Sequence, residues 1–174
     1  MNLATGENVQ GERSEELQLV SFYLGGEENG IDILRVQEII RMQAISRIPK
    51  APEYVEGIIN LRGKVIPIIN LRMRFGLEKK ENDKQTRIIV VKIEGKTLGL
   101  IVDSVSEVLR LPSDSIEPAP AIVTGKEGKY LTGVGKIEDK LIILLDLEKL
   151  LKDVEVEISD VIDPAATVNK TVHG

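Results

Sequence analysis

Apolar residues fall in short runs broken by glycine, proline and charged turns, a spacing that predicts strands rather than long helices. From Leu17 to Leu24 both alternating sets are largely apolar, which predicts a strand covered on both faces. Gly25 to Gly30 reads as a turn into a second strand at Ile31–Ile33. The stretch from Ile33 to Ile40 fits helical and strand spacing equally, and is expected to be a short helical turn running into a strand. Pro49 to Gly57 predicts a single-turn helix with Pro52 at its first position and Gly57 as its stop. Gly57 to Arg72 is the clearest hairpin: two aliphatic runs flank Arg62-Gly63, where glycine can take the positive φ of a tight turn.

These elements occur twice. Gly30-Ile31-Asp32-Ile33-Leu34-Arg35-Val36-Gln37-Glu38-Ile39-Ile40-Arg41 aligns at a constant offset of 69 with Gly99 to Arg110, and after a seven-residue insertion Gly57 to Arg72 aligns with Gly133 to Glu148. The second copy therefore predicts a hairpin turning at Glu138-Asp139, and the same helical turn and strand after Gly99. Lys79 to Gln85 is the charged link between copies, and Arg87 to Ile93 opens the second with a β-branched run. Gly125 to Lys129 is a polar loop, and Leu147 to Leu151 is helix-compatible. The expected fold is all-β, mainly β with short helices, its ten or so short strands forming a pair of small barrels. Residues 1–15 read as a flexible arm and 16–151 as one domain, with subdomains of about 16–82 and 83–151 and room for strand or helix exchange between them. Residues 152–174 read as a frayed extension.

Composition removes most chemistry. The chain has 174 residues, no cysteine and one histidine, so a disulfide framework and thiol chemistry are excluded. That histidine, His173, lies next to the end of the chain, where a Ser-His-Asp arrangement has nothing to hold it. Aromatics are 3% and the net charge is -5 with the cations scattered, which argues against nucleic acid. No run approaches the length of a membrane span, so the chain is expected in the cytoplasm. The acids lack calcium-loop spacing and the glycines do not make a phosphate-cradling loop, so no metal and no cofactor is expected. Glu38 and Glu107 fall at equivalent positions and could in principle form an acid and base pair; the simpler reading is the polar position of a strand. Arg62 at a tight turn is either a solvated residue or a rigid anchor for a partner. Val36 and Val105 are either core or the lining of a cleft between barrels.

Gly30 to Ile39, the Asn60-Leu61-Arg62-Gly63 hairpin with Pro67 after it, Gly99 to Val108, Glu117-Pro118-Ala119-Pro120 and Tyr130 to Leu151 together closely resemble the bacterial chemotaxis coupling family CheW. The resemblance covers about 15 to 151. It implies two intertwined five-stranded SH3-like barrels and a non-enzymatic adaptor that couples methyl-accepting chemoreceptors to the histidine kinase CheA. The implied partners are the kinase regulatory domain and the receptor cytoplasmic tip, so that the chain is recruited to receptor arrays at the inner face of the membrane and meets the membrane only through receptors. Position by position, the resemblance implies Val36, Glu38, Gly57 and Arg62 as receptor-facing, with Val102, Val105 and Val108 on the opposing wall. A paralogous pathway, or a relative of the kinase regulatory domain, is the alternative. Asn29 and Asn70 depart from the family pattern, making a hairpin face more polar and removing a possible partner for a nearby arginine.

Overall fold

The computed structural model describes residues 15–118 and 129–157. The expected arm, most of the loop before Lys129, the tail from Ser159 and His173 lie outside those residues. The first copy contributes β1 (Glu16–Leu24), β2 (Glu27–Asp32), β3 (Val36–Arg41), β4 (Val55–Leu61), β5 (Lys64–Asn70) and a single-turn helix, α1 (Leu71–Arg74). The second contributes β6 (Arg87–Ile93), β7 (Lys96–Val102), β8 (Ser104–Pro112), β9 (Ile116–Pro118), β10 (Leu131–Ile137), β11 (Lys140–Leu145) and helix α2 over residues 147–157.

Turn chemistry sets the hairpins. Gly25-Gly26, Arg62-Gly63 and Glu94-Gly95 take positive φ at both central residues, the conformation whose twist matches that of the flanking strands. Glu138 opens the fourth turn at φ 54. In the first copy Asp32 caps a 3-10 turn at Ile33–Arg35 by accepting from the Leu34 N–H. The second copy lacks that turn, contrary to expectation. Its residue at the Asp32 position is Ile101, which cannot cap, and the Asp103 N–H instead donates to the Tyr23 carbonyl. The single-turn helix expected at 49–57 is also absent: Val55 already begins β4, and two turns fill the space, one of them closed by Val55 N–H to the Pro52 carbonyl.

The strands form a six-stranded sheet, β8-β1-β2-β11-β10-β9, and a five-stranded sheet, β3-β6-β7-β5-β4. Each copy's first hairpin is inserted in the other copy's sheet. β2 joins β11 in parallel with Gly30 opposite Leu144, and β7 joins β5 in parallel with Gly99 opposite Ile68, the equivalent pairing. The two sheets are therefore not the two copies. Continuous closure into barrels is not observed. In the five-stranded sheet the edges approach through one bridge between Ser46 and Ile58; in the other, edge strand β9 follows edge strand β8 across a 3-10 turn.

Each sheet encloses its own small cluster, Ile59, Ile66, Ile68, Ile88, Val90 and Ile101 in one and Leu19, Leu109, Leu111, Ile142 and Leu144 in the other. Between the sheets lies the largest cluster, to which β1 gives Val20, Phe22 and Leu24 while β6 gives Ile89, Val91 and Ile93. This is why both faces of β1 are apolar. Helix α2 belongs to this central core through Leu147, Leu150, Leu151 and Val154, so residues 152–157 are not frayed. At its far end the Arg74 guanidinium sits between the rings of Tyr54 and Tyr130, the same position in the two copies, at 4.6 and 5.1 Å from the ring centres. The tyrosine hydroxyls donate to Glu157 and Asp153 of α2. Burial and these carboxylates hold both phenols above their ordinary pKa.

Candidate docking site between the edge strands

Cross-strand partners share a face of a sheet, and this locates the candidate residues. On β3, Val36 lies opposite Val91 and Ile39 opposite Ile89, both central-core residues. On β8, Val105 lies opposite Phe22 and Val108 opposite Val20, again central-core residues. Val36 and Val105 are half-buried against that core. Ile39 and Val108 are 40% and 51% exposed. The central core thus runs out to the surface along two equivalent edge strands, leaving β-branched side chains that no described residue covers.

A bulge at Gln37 turns the next residue over. Glu38 lies opposite Val90, whose side chain points into the five-stranded sheet's own cluster, so Glu38 is at the rim of that sheet rather than on the central face. Arg62, at the tip of the β4–β5 hairpin, donates from Nη2 to Glu38 Oε2. The hairpin is braced by Asn60 Oδ1, which accepts from the Gly63 N–H at 2.8 Å. Arg62 itself holds φ 53, a left-handed conformation uncommon outside glycine, and its side chain is 68% exposed. An ion pair so exposed contributes about 0–1 kcal/mol to stability. The pair lies at the rim of the five-stranded sheet, on the other face of β3 from Val36.

Gly57 plays a different part. It sits at a bulge with φ 146, and a Cβ there would meet the Ser46 carbonyl oxygen far inside van der Waals contact. It offers no side chain to a partner; it lets the chain after β3 bridge to β4 through Ser46 and Ile58. Gly133 repeats the device, where a Cβ would come within 2.8 Å of the Glu117 carbonyl as β9 meets β10. Val102 is a correction: at 1% exposed it is central core and forms no part of a docking wall. Ile39 is the residue missing from the sequence-derived set, and the repeat held the signal, because it occupies the position equivalent to Val108.

The second copy does not reproduce the charged half of the site. Glu107 and Glu138 stand where Glu38 and Arg62 stand in the first, two like charges in place of an opposite pair. Lys140 turns instead to Glu28, just as the equivalent Lys64 turns to Thr97. The corners show a second reversal. Arg72 of α1 pairs with Asp103 at 2.7 Å, whereas Arg35 pairs with Glu148, the position equivalent to Arg72. Asn70 loses nothing by not being aspartate: its Oδ1 caps the Met73 N–H as Asp146 caps Lys149, and its Nδ2 donates to Glu56. Asn29 is buried on β2, donating to the Glu27 carbonyl.

The family model for the CheW-like domain matches residues 18–155. The chain is 40% identical over 158 residues to the chemotaxis protein CheW of Klebsiella aerogenes, covering 91% of this chain and 95% of that protein. It is 37% identical over 150 residues to CheW of Helicobacter pylori, covering 86% and 90%. A solved scaffolding protein, TtCheW from Thermoanaerobacter tengcongensis, superposes with a TM-score of 0.70 at 45% identity, over 74% of this chain and 88% of that one. With the repeat and the mainly β two-sheet architecture on which it folds, these matches show that the chain belongs to the CheW-like domain family.

Proposed function

We propose that this protein is a non-enzymatic scaffold of bacterial chemotaxis that couples methyl-accepting receptors to the histidine kinase CheA and carries receptor control to the kinase. The observation that carries this reading is the emergence of the central core at Val36, Ile39, Val105 and Val108 on two equivalent edge strands, with the Glu38–Arg62 pair on the other face of β3. Apolar side chains along an edge strand, with a charged pair at the rim of the same strand, suit an amphipathic receptor helix, which would gain affinity from the apolar residues and orientation from the charges. The names of the relatives, chemotaxis protein and scaffolding protein, support the same reading. Among the described residues no helix is long and apolar enough to cross a membrane, and the chain would reach the membrane surface through receptors. For the kinase regulatory domain we assign the hairpin ends, where Val65 and Leu141, equivalent in the two copies, are each 60% exposed.

Co-purification with a receptor cytoplasmic fragment and with the kinase regulatory domain tests the reading. Val108→Asp and Arg62→Glu are expected to lower receptor affinity by about tenfold or more, because a docked partner would strand a buried charge or face a reversed one. Kinase capture should be unchanged by Val108→Asp, which lies on β8 away from those hairpin ends. Capture of neither partner by the unaltered chain would sink the proposal.

A further inference from the structure

The two hairpin ends that carry Val65 and Leu141 are built alike and charged oppositely. Around the β4–β5 end stand Arg62, Lys64 and Lys92 against one acid, Glu38, to which Arg62 is bonded. The equivalent positions around the β10–β11 end are Glu138, Lys140, Tyr23 and Glu107, and Asp139 takes the place of Gly63. Glu107, Glu138 and Asp139 are exposed. The one cation of this end is held by a buried acid: Lys140 Nζ lies 3.4 Å from Oε1 of Glu28, whose other carboxylate oxygen accepts from the Ser21 hydroxyl. Glu28 first, then Tyr23 and Glu107, hold the Lys140 ammonium above its ordinary pKa.

Packing does not call for Glu28. Its side chain is 5% exposed, and it shares a face of β2 with Gly30, which lies against Leu19 and Ile142 of the six-stranded sheet's own cluster. The five-stranded sheet has Val90, fully buried, at the position of Ser21 and Thr97 at that of Glu28, so the end folds without a buried carboxylate. Desolvating that carboxylate has a cost which its partners only offset. What it adds is charge. Lys64 donates to the neutral Thr97 hydroxyl at 2.8 Å and keeps its charge uncompensated, whereas Lys140 is neutralised by Glu28 and leaves the acids of its own turn without a cation. On the reading that the hairpin ends meet the kinase, we propose that Glu28 is a specificity-determining residue: by holding Lys140 it keeps the Leu141 end acidic and fits it to a basic surface of the kinase regulatory domain, while Thr97 leaves the Val65 end basic and fits it to an acidic one.

Val65→Ser leaves the kinase only the Leu141 end, and Leu141→Ser only the Val65 end, so calorimetric titration of the kinase regulatory domain into each variant reads one end at a time. In the Val65→Ser chain, affinity is expected to fall about fivefold or more from low to high salt. Adding Glu28→Gln should weaken binding about fivefold at low salt and flatten the salt dependence, while Glu28→Asp should preserve both. In the Leu141→Ser chain, Glu28→Gln should change nothing. A loss from Glu28→Gln that is equal at all salt concentrations and that Glu28→Asp does not rescue would overturn the proposal, because it is what a damaged sheet would give. Glu138→Lys with Asp139→Lys reads the same charge from the exposed turn without touching the sheet. Binding should then weaken about tenfold, and binding as tight as before would overturn the proposal. Loss of all kinase capture by Val65→Ser would overturn it too and leave the coupling reading standing, whereas no capture by the unaltered chain removes both.

Discussion

Gly57 shows how a single residue can be legible in sequence for one reason and matter for another. It stands out as a break in an aliphatic run, and resemblance places it at a docking face. Its geometry is that of a close backbone approach at positive φ, with no room for a Cβ beside the Ser46 carbonyl. Gly57→Ala is therefore expected to destabilise the fold by about 2 kcal/mol or more through backbone strain and loss of the Ser46–Ile58 bridge. Denaturant unfolding followed by far-ultraviolet circular dichroism measures this, and a midpoint equal to that of the unaltered chain would contradict it. Val102 shows the reverse. Its apolar neighbours at three-residue spacing, Val105 and Val108, make it look like one wall of a cleft, but it is still on β7, before the corner at Asp103, and faces the core. A pattern of apolar residues does not say which of them the next layer covers.

At the scale of elements, the hairpins could be read from their turns and from the repeat, while the connections could not. The 3-10 turn after β2 depends on whether residue 32 or its equivalent can cap, a difference of one side chain between copies that otherwise align. Helix α2 outruns its apparent length because Val154 and the carboxylates of Asp153 and Glu157 find partners on the far side of the molecule. The link between copies, plain charged sequence on its face, is an ordered turn. Asp83 accepts from the Gln85 and Thr86 N–H groups and pairs with Lys80 at 2.9 Å. The Lys80 hydrogen bond first, and then the Gln85 N–H, lower its pKa to about 2 from an ordinary 3.8. The folded pKa lies below the unfolded one, so this turn is stabilised above about pH 4 and loses that stabilisation as pH falls towards 2. Amide exchange at Gln85 and Thr86, referenced to the intrinsic rate at each pH, should lose protection over that window, and Asp83→Ala should remove the dependence. An unchanged profile in the variant would refute the assignment.

For the molecule as a whole, exchange of the first hairpins is the decisive feature. Each sheet contains strands from both copies, and the largest core cluster lies between the sheets, so neither half has a complete core of its own. Unfolding is expected to be a single cooperative transition, with probes on β4 and on β10 reporting the same midpoint; two separated midpoints would refute it. Charge reversal at the Arg72–Asp103 and Arg35–Glu148 corners accompanies that heterotypic pairing, since two copies of the first half would place like charges together. Local periodicity, glycine's conformational freedom and residue types are enough to set the β class, the duplication and the turns at Arg62-Gly63 and Glu138-Asp139. Long-range contacts set which hairpin enters which sheet, that Val102 is covered while Ile39 and Val108 are not, and that Glu38 meets Arg62. Those outcomes rest on contacts between segments far apart in the chain, which periodicity along one strand does not encode.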